Sequence, residues 1–141
     1  MDRRQFIRMG VVGAGASLLL PRSVLAEIPD CPMAGGVYHT RKAPGRWEKK
    51  VDSHLPQIEV ESSAEGVVVH VITDHKMSGT RHYIVKHVLL DADFHFIDEH
   101  LFDPENDKKA ESVFTLPTYE GVLYALSVCN LHDTWLDFVT V

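Results

Sequence analysis

Seven short runs of β-forming residues, separated by turn-forming residues, constrain the fold of this 141-residue chain more than any other feature. Some runs alternate apolar and polar residues, as Gln57 to Glu61 does, and others are almost wholly apolar, as Gly66 to Thr73 is. The remaining runs are 82–90, 94–97, 112–116, 121–129 and 135–141. Because no stretch sustains the 3.6-residue period of a helix, the pattern predicts an all-β fold, an antiparallel sandwich of seven strands.

The first 26 residues are predicted to be a secretory leader that is removed from the mature protein. The run Asp2 to Arg8 (DRRQFIR) resembles the twin-arginine export motif, and the apolar stretch 9–20 that follows is short for a membrane span. A small-residue cleavage pattern ends at Ala26, after which we expect the cut. This predicts a periplasmic protein that uses the twin-arginine translocase; an uncleaved membrane anchor is the alternative.

The mature chain is predicted to contain an irregular arm and one domain. Pro and Gly recur through residues 27–46 and interrupt any regular period, so this segment is predicted to be the arm. Residues 47–141 then form the sandwich, which is long enough for one modest hydrophobic core.

The charge balance argues against nucleic acid as a partner. The chain has 20 acidic and 14 basic residues, and removal of the leader takes away four arginines and one aspartate. The mature chain would therefore carry a net charge of about −9, whereas phosphate binding needs a basic face.

Metal-capable side chains are concentrated in three segments outside the predicted strand interiors. His54 lies in the first, His75 and His82 lie in the second, and Cys129 and His132 lie in the third as a Cys-x-x-His pair. Imidazole nitrogens together with a thiolate suit iron, zinc or copper better than Mg²⁺ or Ca²⁺, which prefer oxygen ligands.

The order and context of these segments resemble the superoxide reductases, the neelaredoxin and desulfoferrodoxin group. The first matching motif is His54-Leu55-Pro56-Gln57-Ile58, and the second, a looser match, runs from His75 to Ile84. The third is the longest and most specific: it reads LYALSVCNLH over residues 123–132 and is followed by Trp135.

The resemblance implies an immunoglobulin-like sandwich with one mononuclear non-haem iron. The implied ligands are four equatorial histidines and one axial cysteine: His54, His75, His82, His132 and Cys129. The implied reaction combines superoxide with one electron and two protons to give hydrogen peroxide. An unidentified electron donor would supply the electron, and family members often form homo-oligomers.

Departures from the family pattern lie beside these ligands. The family's Glu-Lys pair before the first histidine becomes Asp52-Ser53, so Asp52 is the candidate metal-capping acid and Lys49 or Lys50 the candidate cation that attracts superoxide. Asp133 stands where the family commonly has glycine.

The segment from His75 to His82 is one residue longer than usual in the family, which leaves His70 and His87 as alternative ligands to His75. Otherwise His39, His70, His87, His95 and His100 are expected on the surface or on strand faces.

Two other interpretations remain open. Composition alone favours a disulfide between Cys31 and Cys129 in an exported protein, although the Cys-x-x-His match outweighs it. The alternative function is a non-catalytic periplasmic metal-binding or electron-transfer β-sandwich module, which the weakened Asp52-Ser53 pair favours.

Overall fold

The computed structural model describes residues 31–141, which form two antiparallel sheets packed face to face. The strands are β1 (Gln57–Ser63), β2 (Gly66–Thr73), β3 (Ile84–Leu90), β4 (Phe96–Leu101), β5 (Ala110–Leu116), β6 (Val122–Cys129) and β7 (Thr134–Thr140). One sheet has the order β1-β2-β5 and the other β4-β3-β6-β7. The all-β sandwich predicted from the apolar runs is confirmed.

The hydrophobic core lies between the two sheets. Val69 and Val71 of β2 are fully buried and pack with Phe114 of β5, while Leu89 of β3 and Leu123 of β6 enter from the opposite sheet. Alternate residues of β5 are buried and exposed along its whole length, as expected of a strand with one face on the core. The core therefore fixes the register of both sheets, and with it the positions of the loops.

Within residues 31–141, helical structure is confined to short segments near one end of the sandwich. A 3₁₀ segment, Gly45–Lys50, is kinked at Trp47 and leads directly into the four-residue helix α1 (Val51–His54). A second 3₁₀ turn covers Gly79–Arg81. Helix α1 ends before Pro56, because the ring of a proline disfavours helical backbone at the residue preceding it; Leu55 is extended, with ψ 127°.

Two of the predicted strands start two residues later than the β-forming runs indicate. The strand expected from residue 82 begins at Ile84, and the strand expected from residue 94 begins at Phe96. Phe94 instead lies in the β3–β4 turn with φ 64°, where its ring stacks on Tyr124 at a centroid distance of 4.4 Å.

The described part of the arm is held against the edge of β7. The amide of His39 donates to the carbonyl of Thr134 (2.9 Å), and the amide of Leu136 donates to the carbonyl of His39 (2.9 Å). His39 is consequently buried, at 1% exposure, and the expectation of a surface or strand-face residue was wrong. Among the described residues, no helix has both the length and the apolar character needed to cross a membrane.

Candidate metal centre

Three chain segments meet at one end of the sandwich and carry the five predicted ligands. Helix α1 ends in His54, the β2–β3 connection contains His75 and His82, and Cys129 ends β6 with His132 in the turn that follows. Strands β3 and β6 are hydrogen-bonded neighbours, so Ile84 at the start of β3 pairs with Cys129 at the end of β6. Sheet pairing thus places the second and third segments side by side.

The five side chains converge on one small volume. His132 Nδ1 lies 3.1 Å from His54 Nε2 and 3.0 Å from His82 Nε2, and His82 Nε2 lies 3.0 Å from His75 Nε2. The Cys129 sulfur is 3.6 Å from His132 Nδ1. Donor atoms of His54, His75, His82 and Cys129 also lie within 4.8 Å of one another. The structure therefore brings together all five residues that the sequence identified.

This arrangement is better suited to a cation than to hydrogen bonding among the rings. A neutral imidazole has one N–H donor and one lone pair, so a ring that already donates at its outer nitrogen presents only its lone pair to the cluster. Two nitrogens bound at right angles to one ion by bonds of about 2.1 Å lie roughly 3.0 Å apart. The three neighbouring N–N separations, 3.0 to 3.1 Å, match that spacing. The residues present fit a single first-row metal ion.

Burial keeps the histidines in the form that binds metal. It lowers the pKa of His54 to about 3 and that of His75 to about 4, and the neighbouring imidazoles add to both shifts. Burial also lowers the pKa of His82 and His132, and the positive charge of Lys50 lowers both further. At neutral pH the rings are therefore uncharged and their lone pairs are free for a cation. Burial raises the pKa of the Cys129 thiol, so the thiolate needs a nearby positive charge such as a metal ion.

The orientation of His54 is fixed by its own helix. Its Nδ1 lies 2.8 Å from the Ser53 hydroxyl and 3.2 Å from the carbonyl oxygen of Lys50. The Ser53 hydroxyl itself donates to that carbonyl, so Nδ1–H is the donor of the ring. The Nε2 lone pair is then directed toward the cluster, as metal-ligating histidines require.

Asn130 ties the two loops of the site together. Its side-chain oxygen accepts from the amide of Tyr83 (3.0 Å), and its side-chain amide donates to the carbonyls of Thr80 (3.3 Å) and Arg81 (3.2 Å). Asn130 follows Cys129, and the bonded loop carries His82, so one side chain sets the spacing between two ligands. The amide of Leu131 donates to the Cys129 sulfur at 3.5 Å.

The three residues that the sequence proposed as catalytic differ in their placement. Asp52 has a side chain 98% exposed to solvent, and its carboxylate lies 3.6 Å from the guanidinium of Arg41. Lys49 is exposed, whereas Lys50 is half-buried. Besides the effects of burial, the positive charge of Lys50 lowers the pKa values of four proposed ligands, His75, His82, Cys129 and His132.

The alternative ligands and the alternative disulfide are not found in the described structure. His87 is fully buried away from the cluster, where its ring contacts the hydroxyls of Thr73 (2.9 Å) and Ser112 (2.7 Å). His70 lies within β2, paired with Glu59 and Val113. Cys31 and Cys129 are both free thiols.

Sequence reasoning missed a second set of residues around the centre. Trp47 lies edge-on to the ring of His132 at a centroid distance of 4.6 Å, and its indole N–H donates to the carboxylate of Asp133 (2.8 Å). His39 and Arg46 contact the same carboxylate. The only available signal was Asp133 itself, an acid at a position expected to be glycine, and nothing in its sequence neighbourhood identifies partners more than 80 residues away.

Comparison with known proteins shows what the chain is similar to. A family model described as Desulfoferrodoxin matches residues 46–137. A solved superoxide reductase (neelaredoxin) from Ignicoccus hospitalis is 26% identical, with a TM-score of 0.62 over 76% of this chain and 95% of that one. A hypothetical protein from Pyrococcus horikoshii OT3 is 28% identical, with a TM-score of 0.55 over 64% of this chain and 89% of that one.

A superoxide reductase solved in the oxidized state is also 28% identical, with a TM-score of 0.53 over 65% of this chain and 90% of that one. No curated protein matches the sequence. The matched range, residues 46–137, includes all five converging residues and ends in the middle of β7.

Proposed function

The chain belongs to the desulfoferrodoxin family, and from that premise we propose that it is an exported superoxide reductase with one mononuclear non-haem iron per chain. The reaction takes one superoxide, one electron from a donor and two protons, and it releases one hydrogen peroxide. The observation that carries the proposal is the convergence of four imidazole nitrogens and one sulfur, His54, His75, His82, His132 and Cys129, on one volume.

Each ligand role follows from the side chain's position. Three pairs of nitrogens among the four imidazoles lie 3.0 to 3.1 Å apart, so the rings would bind around the ion, and Cys129, at the end of β6, would be the thiolate ligand. Ferrous iron in this set would supply the single electron that superoxide requires, with a thiolate that donates electron density to it. The hydrogen bond from the amide of Leu131 to the Cys129 sulfur would moderate that donation.

Lys50 is the residue best placed to attract the anionic substrate. The mature chain is acidic overall, so superoxide experiences long-range repulsion unless a local positive charge faces the site. Lys50 is half-buried and its charge is felt by four of the five proposed ligands, whereas Lys49 is exposed. Asp52 is turned toward Arg41 and solvent, so capping of the iron by this acid would require its side chain to reorient.

Export through the twin-arginine translocase is part of the same proposal. It is supported by the residues Asp2 to Arg8 and by the cleavage pattern ending at Ala26, both of which lie outside the described residues. That route carries folded proteins, so the protein would acquire its metal before it reaches the periplasm.

One observation favours the second candidate, a non-catalytic metal-binding or electron-transfer module. Ser53 stands where the family has lysine, and its hydroxyl is used to hold His54 and the Lys50 carbonyl. Position 53 therefore provides no charge for superoxide, and a metal centre without fast substrate capture would serve electron transfer alone.

Pulse radiolysis of the iron-loaded ferrous protein separates the two candidates. Superoxide generated in the pulse should oxidise the centre in a second-order reaction and yield about one hydrogen peroxide per iron. The matched variants are Cys129→Ala, which should lose the thiolate-to-iron absorption band, and Cys31→Ser, which should keep it. A protein whose oxidised form shows the band but whose ferrous form does not react with superoxide would support the electron-transfer module instead.

A further inference from the structure

The carboxylate of Asp133 gathers donors from a distant part of the chain. Its Oδ2 accepts from the indole N–H of Trp47 (2.8 Å), from Nη2 of Arg46 (3.0 Å) and from Nε2 of His39 (3.1 Å). Nη2 of Arg46 also reaches Oδ1, at 3.3 Å. All three donors precede α1, while Asp133 lies in the β6–β7 turn, so one side chain joins the start of the described chain to the turn that carries His132.

We propose that Asp133 is a positioning residue of the metal centre: its carboxylate holds Trp47 against His132 and thereby orients that ligand. This inference rests on the proposed iron centre, with His132 as one of its ligands.

The backbone of the turn brings the carboxylate to the right place. Asp133 has φ 63°, the left-handed conformation that aspartate tolerates better than most residues with a Cβ. Its carbonyl oxygen accepts from the amide of Cys129 at 3.0 Å and closes the turn. A glycine would adopt this backbone more easily but would offer no acceptor, so the aspartate is accounted for by its side chain.

Trp47 transmits the effect to the ligand. Its ring meets the His132 ring edge-on, with an interplanar angle of 89° and a centroid distance of 4.6 Å. The guanidinium of Arg46 lies over the Trp47 ring, 4.6 Å from its centroid, and contributes a cation–π contact that also holds the indole. The 3₁₀ segment is kinked at Trp47, so the indole position depends on side-chain contacts more than on helical hydrogen bonds.

Two further contacts secure the same corner. The ring of His39 lies 5.3 Å from that of Trp135, and Nε1 of Trp135 donates to the carbonyl of His132 at 2.9 Å. His132 is therefore fixed at its backbone by Trp135 and at its ring by Trp47. Of these two contacts, only the one with Trp47 depends directly on Asp133. Loss of the Asp133 carboxylate should therefore change the orientation of the His132 ring without unfolding the protein.

The test compares Asp133→Gly, which keeps the backbone and removes the acceptor, with Asp133→Asn, which keeps one acceptor oxygen. Glu120→Gln is the control, because it removes an exposed charge outside the site. The first readout is acrylamide quenching of tryptophan fluorescence in the metal-free protein. The chain has two tryptophans and Trp135 is fully buried, so quenching reports on Trp47. The second and third readouts are the rate of iron release to a chelator and the energy of the thiolate-to-iron band.

We expect Asp133→Gly to raise the quenching constant at least twofold, to accelerate iron release at least threefold and to shift the band. Asp133→Asn should lie between Asp133→Gly and the wild type, because its amide oxygen can still accept from the indole; it also carries the test if the glycine variant does not fold. If the quenching constants of the Asp133 variants equal that of Glu120→Gln, the proposal is overturned.

Faster quenching with unchanged iron release and band energy would also overturn it, because Asp133 would then hold the segment without acting on His132. A wild-type protein that binds no iron would refute the proposed function, yet quenching would still show whether Asp133 holds Trp47.

Discussion

The buried histidine His87 should make the folded protein less stable as the pH is lowered. His87 of β3 is fully buried between the sheets, with its two ring nitrogens against the hydroxyls of Thr73 and Ser112. Thr73 in turn donates to the hydroxyl of Ser127 at 2.8 Å, so the network bridges both sheets. Burial lowers the pKa of His87 from 6.5 to about 3.

The sign and size of the effect follow from proton linkage. Between pH 6.5 and 3 the unfolded chain binds a proton at His87 and the folded chain does not, so stability falls as the pH is lowered through this window. Each pH unit costs about 1.4 kcal/mol per such group. His87 alone should therefore reduce the free energy of unfolding by about 2 kcal/mol between pH 7.5 and pH 5.

Chemical denaturation at several pH values measures this directly in the wild type and in His87→Gln, which keeps hydrogen-bonding capacity but does not titrate. The difference between their unfolding free energies should change by about 2 kcal/mol over that range, because the other histidines cancel. His70→Gln, which replaces a half-buried histidine of β2, is the matched control. A difference that is constant with pH would refute the reasoning about His87.

Three further predictions concern the site. Lys50→Gln should slow the reaction with superoxide roughly twofold to tenfold and weaken its dependence on ionic strength, whereas Lys49→Gln should have a smaller effect; equal effects of the two would contradict the placement of Lys50. Asn130→Ala should lower the free energy of unfolding by about 1 kcal/mol and speed iron release to a chelator, because the loop bearing His82 loses its link to the turn. Cys31→Ser should leave the iron content measured by metal analysis unchanged, and loss of iron would show that this thiol contributes to the centre.

The fold could be predicted because strand formation here depends on local pattern. The alternation in β1 and the apolar run of β2 are both recognisable in a short window of sequence, and in the sandwich β2 alternates buried and half-buried residues. The errors fall where tertiary contacts override that pattern. Residues 82 and 83 continue an apolar run, yet His82 turns into the metal cluster and the strand begins at Ile84.

The candidate ligands could be identified because metal chemistry restricts the residue types. Their convergence could not be derived from spacing alone, since it depends on β3 pairing with β6 and on α1 closing over the end of the sheets. The group formed by His39, Arg46, Trp47 and Asp133 escaped prediction for a related reason. Its members are common residue types that acquire a role only when the arm docks on β7.

X-ray absorption at the iron edge of the purified ferrous protein, with metal analysis of the same sample, tests the central claim most directly. One iron per chain with one sulfur and four nitrogen scatterers is the expected result, and the sulfur contribution should vanish in Cys129→Ala. A wild-type centre whose iron is bound only by nitrogen and oxygen, with no sulfur, would contradict the account. So would a wild-type protein that fails to bind one iron per chain even after reconstitution with ferrous iron.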